Sequence, residues 1–456
     1  MTEKAQYERP RIIPLDCPMT TRPPLDHRQG DPVTAIGGKD ALDLMAEHGS
    51  PCMVFDGDRL IDTYNKFLGA FKKHYEKCRI AYSVKTNYLS SIVGLLYRTG
   101  SKVEVVSGFE YQICRRLGIP GREICFNGPW KKDDEIAEAF RQGSLVNLDN
   151  YDELKRVEVI AREIPGPHRI GIRVNMEVSY PPWDKFGFNL TSGEALRMAE
   201  RIHTNENMEL HGLHMHVGTY IPNPDQYGKG ASALVDLALL IRDKVGVEVA
   251  VLDMGGGYAS SNTLRGQMIP GSGTSPTPAM YAEALTEPLI RARDKHDFEP
   301  MLVLEPGRAM VDECGDMLTS VTSVKPLLGG GRAAIIDAGV NVIPTAYWYD
   351  HEVVPVNCSA RHTERVKVFG PLCMQIDVIR PEAVLPSPRV GDVYCLRRVG
   401  AYNFSQSMQF IYTRPSYLLS LEGEIHVIRP SESTEDVIGH ETIPDILRVT
   451  GDKADG

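Results

Sequence analysis

A chain of 456 residues is too long for one compact core and suits a barrel-sized domain joined to a second one. Its composition, 42% hydrophobic and 24% charged, is that of a soluble globular protein and argues against general disorder. The net charge of −10 disfavours nucleic acid or an anionic membrane as a partner, and no run nears the roughly 18–20 apolar residues that span a bilayer. The first 15 residues are polar and lack an apolar core, so no secretory signal is expected. Nine cysteines stand singly, none in a CxxC pair, which points to a reducing cytoplasm rather than a disulfide framework or a zinc ribbon.

Residues 1–50 are rich in Pro, Asp and Arg, with a short helical patch over 39–48, and read as a tail leading into the fold. A helix over 58–75 follows. Short β-branched runs then recur at 79–84, 102–107, 123–127, 145–149, 170–175, 212–218, 247–253 and 302–305. Amphipathic stretches at 89–98, 133–141, 151–162, 194–203, 231–244 and 280–295 alternate with them. Eight strands alternating with helices predict a (β/α)8 TIM barrel over 51–310, with an open doubly wound sheet as the rival. From residue 311 the pattern changes to runs at 319–325, 332–337, 365–369, 392–399, 417–421 and 424–428, broken by Gly, Pro and Asn. These predict an all-β domain over 311–456, completed by a strand around 53–55, with a short final helix near 444–447.

Active sites of such barrels lie at the carboxyl ends of the strands, and here those ends are polar. The first ends in Ser83-Val84-Lys85, where a partly desolvated lysine would have a lowered pKa suited to Schiff-base formation; the bland alternative is a snorkelling surface lysine. The sixth carries His214 and His216, which at i and i+2 share a strand face and would suit either a metal or a planar cofactor. The seventh runs into Gly255-Gly256-Gly257, where backbone N–H groups can approach a phosphate. This is not GxGxxG, and no ribose-binding acid follows at dinucleotide spacing. The eighth ends in Glu305-Pro306-Gly307-Arg308, a carboxylate and a guanidinium fit for opposite ends of an anionic heteroaromatic ring. A lysine, an imidazole, a glycine cradle and a Glu/Arg pair around one mouth are the parts that pyridoxal 5′-phosphate (PLP) needs.

The stretches AYSVKTN (81–87), EVVSGFE (104–110), HMHVGT (214–219), DMGGGY (253–258), EPGR (305–308), FGPLC (369–373) and GAYNFS (400–405) resemble, in order, the fold-type III PLP decarboxylases. That family includes diaminopimelate and ornithine decarboxylases and combines an alanine-racemase-like barrel with a C-terminal β-domain. The resemblance implies Lys85 as the PLP lysine, His216 as the ring-stacking histidine and Glu305 as partner of the pyridinium nitrogen. It places the phosphate on Thr219, Gly255, Gly256, Gly257, Gly307, Arg308 and Tyr402. It makes Cys373 the proton donor after CO2 leaves, reaching across a head-to-tail homodimer; without the resemblance, Cys373 reads as a structural cysteine. No metal is implied.

The departures concern the substrate. Diaminopimelate decarboxylases usually carry Glu after the cysteine, where this chain has Met374, and an arginine ahead of a characteristic tyrosine, where it has Thr345 ahead of Tyr349. Tyr349-Asp350-His351 is similar to a segment of ornithine-type enzymes whose aspartate binds the distal amine, and the run from Cys373 to Asp377 is similar to decarboxylases of siderophore and antibiotic pathways. Arg308, Tyr349, Asp350, Met374, Asp377 and Tyr402 are therefore the expected substrate contacts, and a pathway-specific amino acid the expected substrate. Diaminopimelate, ornithine and lysine remain as alternatives. A racemase would lack CO2 release, a metal-dependent hydrolase would bind metal at His214 and His216, and a non-catalytic relative would have lost the lysine or the cysteine.

Overall fold

The computed structural model describes residues 32–178, 183–358 and 362–448. The expectations for residues 1–31 lie outside these. Eight strands close into a barrel: Cys78–Ser83, Lys102–Val105, Ile124–Phe126, Leu145–Leu148, His168–Asn175, Met208–His214, Val251–Asp253 and Met301–Leu304. Every pairing around the ring is parallel, and Met301–Leu304 closes it against Cys78–Ser83. This settles the barrel against the open sheet. Its strands are buried on both faces, which is why they read as apolar runs rather than clean alternations.

Helices follow the strands as the spacing predicts, including Asp133–Arg141, Tyr151–Glu163 and Glu194–His203. Helix Gly57–Lys72 precedes the first strand and is capped by Asp56, whose carboxylate accepts from the Arg59 N–H at 2.9 Å. Helix Gly108–Arg116 is absent from the sequence reading; it is short, and its start is marked only by the Ser107 cap on the Glu110 N–H. The sixth strand starts earlier than expected and ends at His214, so His216 lies in the following loop.

The second sheet orders Val378–Pro386, Thr363–Phe369, Arg332–Ile336, Gly315–Pro326, Cys52–Asp56, Ser416–Leu421 and Glu424–Arg429. Cys52–Asp56 lies antiparallel to Gly315–Pro326 and parallel to Ser416–Leu421. It is thus a central strand of this sheet and not part of the barrel, although it precedes the barrel in the chain. Val378–Pro386 was missed because Pro381 and Pro386 interrupt its pattern. Lacking their N–H groups, those residues are tolerated because the strand lies at the sheet edge. The short Val353–Pro355, also missed, pairs with Val393–Leu396.

The two units are sewn together beside the first barrel strand. Asn87 Nδ2 donates to the Gly400 carbonyl at 3.0 Å, and Thr86 O accepts from Tyr402 N at 2.9 Å and from Ser405 Oγ at 3.0 Å. A Cβ on Gly400 would lie 1.8 Å from the Val311 carbonyl oxygen, so only glycine permits this approach.

Candidate active site

Lys85 sits in the single turn Val84–Thr86 that caps the first strand. Its Nζ donates to Glu104 Oε2 at 2.7 Å, and the same oxygen accepts from Ser83 Oγ at 2.5 Å. Asn127 Nδ2 bridges Glu104 Oε1 at 3.2 Å and Glu305 Oε1 at 2.6 Å, while Asn147 Nδ2 holds Asn127 Oδ1 at 2.7 Å. A layer of polar side chains from five strand ends therefore fills the barrel mouth. Burial alone would lower the lysine's pKa, as the sequence suggested, but the Glu104 and Glu305 carboxylates outweigh it. The ammonium is held above its ordinary range, which corrects the expected direction.

Glu305 is buried, and burial would raise its carboxyl. His214, whose Nε2 lies 3.4 Å from Glu305 Oε2, and Lys85 oppose that and hold it down at about 2. Burial and the Glu305 charge drive Asp253 well upward, so of these two neighbouring carboxyls Glu305 carries the charge. The histidines do not form the shared pair that i, i+2 spacing allowed. His214 faces Glu305, whereas His216 Nδ1 accepts from the Gly256 N–H at 3.1 Å. Burial, with Arg173 and Lys85 nearby, keeps His216 neutral, and the accepting Nδ1 leaves the proton on Nε2.

The glycine turn is built for close approach. A Cβ on Gly256 would lie 2.4 Å from the Glu305 carbonyl oxygen, and one on Gly255 would lie 2.2 Å from that of Met215. Gly255 and Gly257 also have φ of +66° and +94°. A Cβ on Gly307 would meet Thr86 Oγ1 at 2.0 Å. Arg308 stands inside a tyrosine cage, its guanidinium carbon 4.9 Å from the Tyr402 ring centre, 5.0 Å from Tyr349 and 6.0 Å from Tyr220. Its buried Nη1 is 3.9 Å from Asp312 and makes no hydrogen bond among the described residues. An unspent buried donor beside a glycine turn fits a phosphate, and an anionic carboxylate, a neutral imidazole and a lysine around one mouth fit a pyridoxal ring.

Other predicted residues divide. Thr219 is exposed beyond the glycine at 218. Tyr402 adopts φ of +62° and lies 3.5 Å from Thr86 Oγ1 through its hydroxyl. Asp350 Oδ1 is buried, makes no hydrogen bond among the described residues and lies 3.8 Å from Arg265 Nε. The Asp377 carboxylate accepts from Val340 N at 2.8 Å and Leu372 N at 2.7 Å and so holds the Cys373 turn. Cys373 is exposed and Met374 half-buried on that turn of the second domain. Thr345 is buried; its hydroxyl donates to Asn403 Oδ1 at 2.7 Å and pairs with His351 Nε2 at 2.8 Å.

Glu104, Asn127, Asn147 and Tyr220 escaped the sequence reading as site residues. The signal that exposed Lys85 and Glu305 was present for the first three as well: a polar side chain at the carboxyl end of a barrel strand.

The family model for the pyridoxal-binding domain of pyridoxal-dependent decarboxylases matches residues 61–312. The diaminopimelate decarboxylase of Methanothermobacter thermautotrophicus is 29% identical over 424 residues, covering 90% of this chain and 95% of the relative. That of Bacillus subtilis is 27% identical, covering 88% and 94%. The crystal structure of diaminopimelate decarboxylase from Methanocaldococcus jannaschii superposes with a TM-score of 0.84 at 27% identity, covering 91% of this chain and 97% of that one. With more than half of its length matched by the family model, the chain belongs to the fold-type III pyridoxal-dependent decarboxylases, enzymes whose cofactor is PLP.

Proposed function

We propose that this decarboxylase acts on an α-amino acid carrying a group appended beyond its side chain, of the kind met in siderophore and antibiotic biosynthesis, in preference to meso-diaminopimelate. The observation that supports the reading is that two charged groups expected at the distal end are replaced by uncharged ones. Where diaminopimelate decarboxylases usually carry arginine, Thr345 is buried and its hydroxyl is committed to His351 and Asn403. Where they usually carry glutamate, Met374 follows Cys373. Losing one charged partner from a buried contact costs about 2–5 kcal/mol, more than tenfold in affinity. Asp350 Oδ1, which makes no hydrogen bond among the described residues, supports an N–H or amine at the far end of the substrate.

In this reading Lys85 would hold the cofactor and, once free, would carry the mobile proton at Nζ, which donates to Glu104. Glu305, kept anionic, would hold the ring nitrogen and its proton, and the neutral His216 would pack on the ring. The glycine turn and Arg308 hold the phosphate. Bound PLP supplies the sink for the electron pair left on Cα when CO2 departs. Cys373, presented from the partner of a head-to-tail homodimer, returns a proton to Cα. Its exposure, and that of Trp348, Ile376, Phe410 and Tyr412 on the same domain, supports such an interface.

The test is CO2 release from a panel containing both diaminopimelate isomers, ornithine, lysine and their distally acylated forms. A visible band of PLP bound to the wild type, lost in Lys85→Ala, establishes loading beforehand. Acylated or otherwise extended amino acids are expected to give kcat/KM at least tenfold above meso-diaminopimelate; the reverse order overturns the proposal. That reverse order is the second reading, meso-diaminopimelate decarboxylation, and it is supported by the near full-length cover of relatives bearing that name.

A further inference from the structure

A second cavity opens at the amino-terminal end of the barrel, on the far side of the polar layer from Lys85. Arg79 and Ser83 bracket the first strand; at about 3.3 Å per residue, roughly 13 Å of strand separates them. The rim carries Arg79, Lys102, Arg122, Arg169 and His211, contributed from around five different strands. Beneath it lies an aliphatic floor of Ile124, Leu145, Val251 and Met301.

The charges on this rim are not balanced. Glu123 pairs with Lys102 at 3.6 Å and Glu209 with His211 at 3.0 Å, while Arg169 donates to the neutral Gly143 carbonyl. Arg79, Arg122 and Arg169 have no carboxylate partner among the described residues. The Arg79 and Arg122 side chains make no hydrogen bond among the described residues either, and both residues are exposed. Asp253, deeper in the cavity, is turned toward Glu305: its Oδ1 accepts from the Gly255 N–H at 2.9 Å, and ligand-type atoms of Cys125, Asp253 and Glu305 lie within 4.8 Å of one another. A chain of net charge −10 thus gathers three uncompensated guanidinium groups around an apolar hollow. Like charges brought together repel, and a bound dianion relieves that repulsion through forked hydrogen bonds.

We propose that this basal cavity binds a small amphipathic phosphate: a phosphoryl head on the arginine rim and an apolar body of about six carbons on the floor. The site is separate from the one that takes the substrate and does not rest on the proposed substrate class. A ligand there lies one layer of side chains below Glu305.

The experiment is isothermal titration calorimetry of the PLP-loaded enzyme with hexyl phosphate and, separately, inorganic phosphate. One saturable hexyl phosphate site per chain is expected, at least tenfold tighter than inorganic phosphate. The double variant Arg79→Gln/Arg122→Gln should weaken it tenfold or more. Because both side chains are exposed and unbonded, the variant should keep its visible PLP band and its rate of CO2 release, which shows that the fold is intact. Absence of saturable binding, equal binding of inorganic phosphate, or an unchanged affinity in the double variant overturns the proposal.

Discussion

Replacing Glu104 with glutamine keeps the acceptor for Ser83 and the shape of the side chain but removes the carboxylate 2.7 Å from Lys85 Nζ. Lys85 titrates high because Glu104 and Glu305 together outweigh its burial, so losing one of them moves it down. A hydrogen bond between charged groups is worth about 1.5–3 kcal/mol. The Lys85 side chain is 36% exposed, so solvent screening places the effect near the lower end. At 1.36 kcal/mol per pH unit, that is a fall of about one unit. The amine must be neutral to capture PLP, so the apoenzyme should take up the cofactor along a pH profile whose inflection lies about one unit lower in Glu104→Gln. Stopped-flow absorbance in the visible band reads this directly. An inflection that stays in place, or moves upward, refutes the view that Glu104 sets the charge on Lys85.

Three further outcomes follow from the packing. Lys131→Met strands the buried Glu153 carboxylate that Lys131 Nζ holds at 2.7 Å, and should cost about 3–5 kcal/mol in urea unfolding. Gly256→Ala drives a methyl against the Glu305 carbonyl and should abolish the visible PLP band while leaving the far-ultraviolet circular dichroism unchanged. Burial, with Arg380 nearby, lowers His351 from 6.5 to about 3. Between those values the unfolded chain binds a proton that the folded one does not, so stability rises with pH across that window and the gain is complete above 6.5. His351→Gln should flatten the chemical-denaturation profile there by up to about 1.4 kcal/mol per pH unit.

The barrel was readable from the chain because its strands obey local rules. Each is a short β-branched run bounded by a turn and followed by an amphipathic helix, and the carboxyl-end position of Lys85, Glu305 and Arg308 follows from chain direction alone. Three consecutive glycines likewise announce close backbone approach whatever surrounds them. Val378–Pro386 stayed hidden because proline breaks the strand pattern and only its place at the sheet edge makes that harmless.

What tertiary structure alone decided are the properties that depend on neighbours distant in sequence. The lysine's charge is set by Glu104 and Glu305, which arrive on other strands, so local desolvation pointed in the wrong direction. His214 and His216 look equivalent in sequence but part company because the strand ends between them, one turning to Glu305 and the other to the Gly256 N–H. That Asp377 holds the Cys373 turn came only with the fold, which brings the Val340 and Leu372 N–H groups to its two oxygens. The basic rim around the basal cavity was invisible in a chain of net negative charge, because arginines scattered over ninety residues of sequence meet only when the strands close into a ring. Chain direction and residue type fix where a group can stand; its charge and its free hydrogen bonds depend on what closure packs against it.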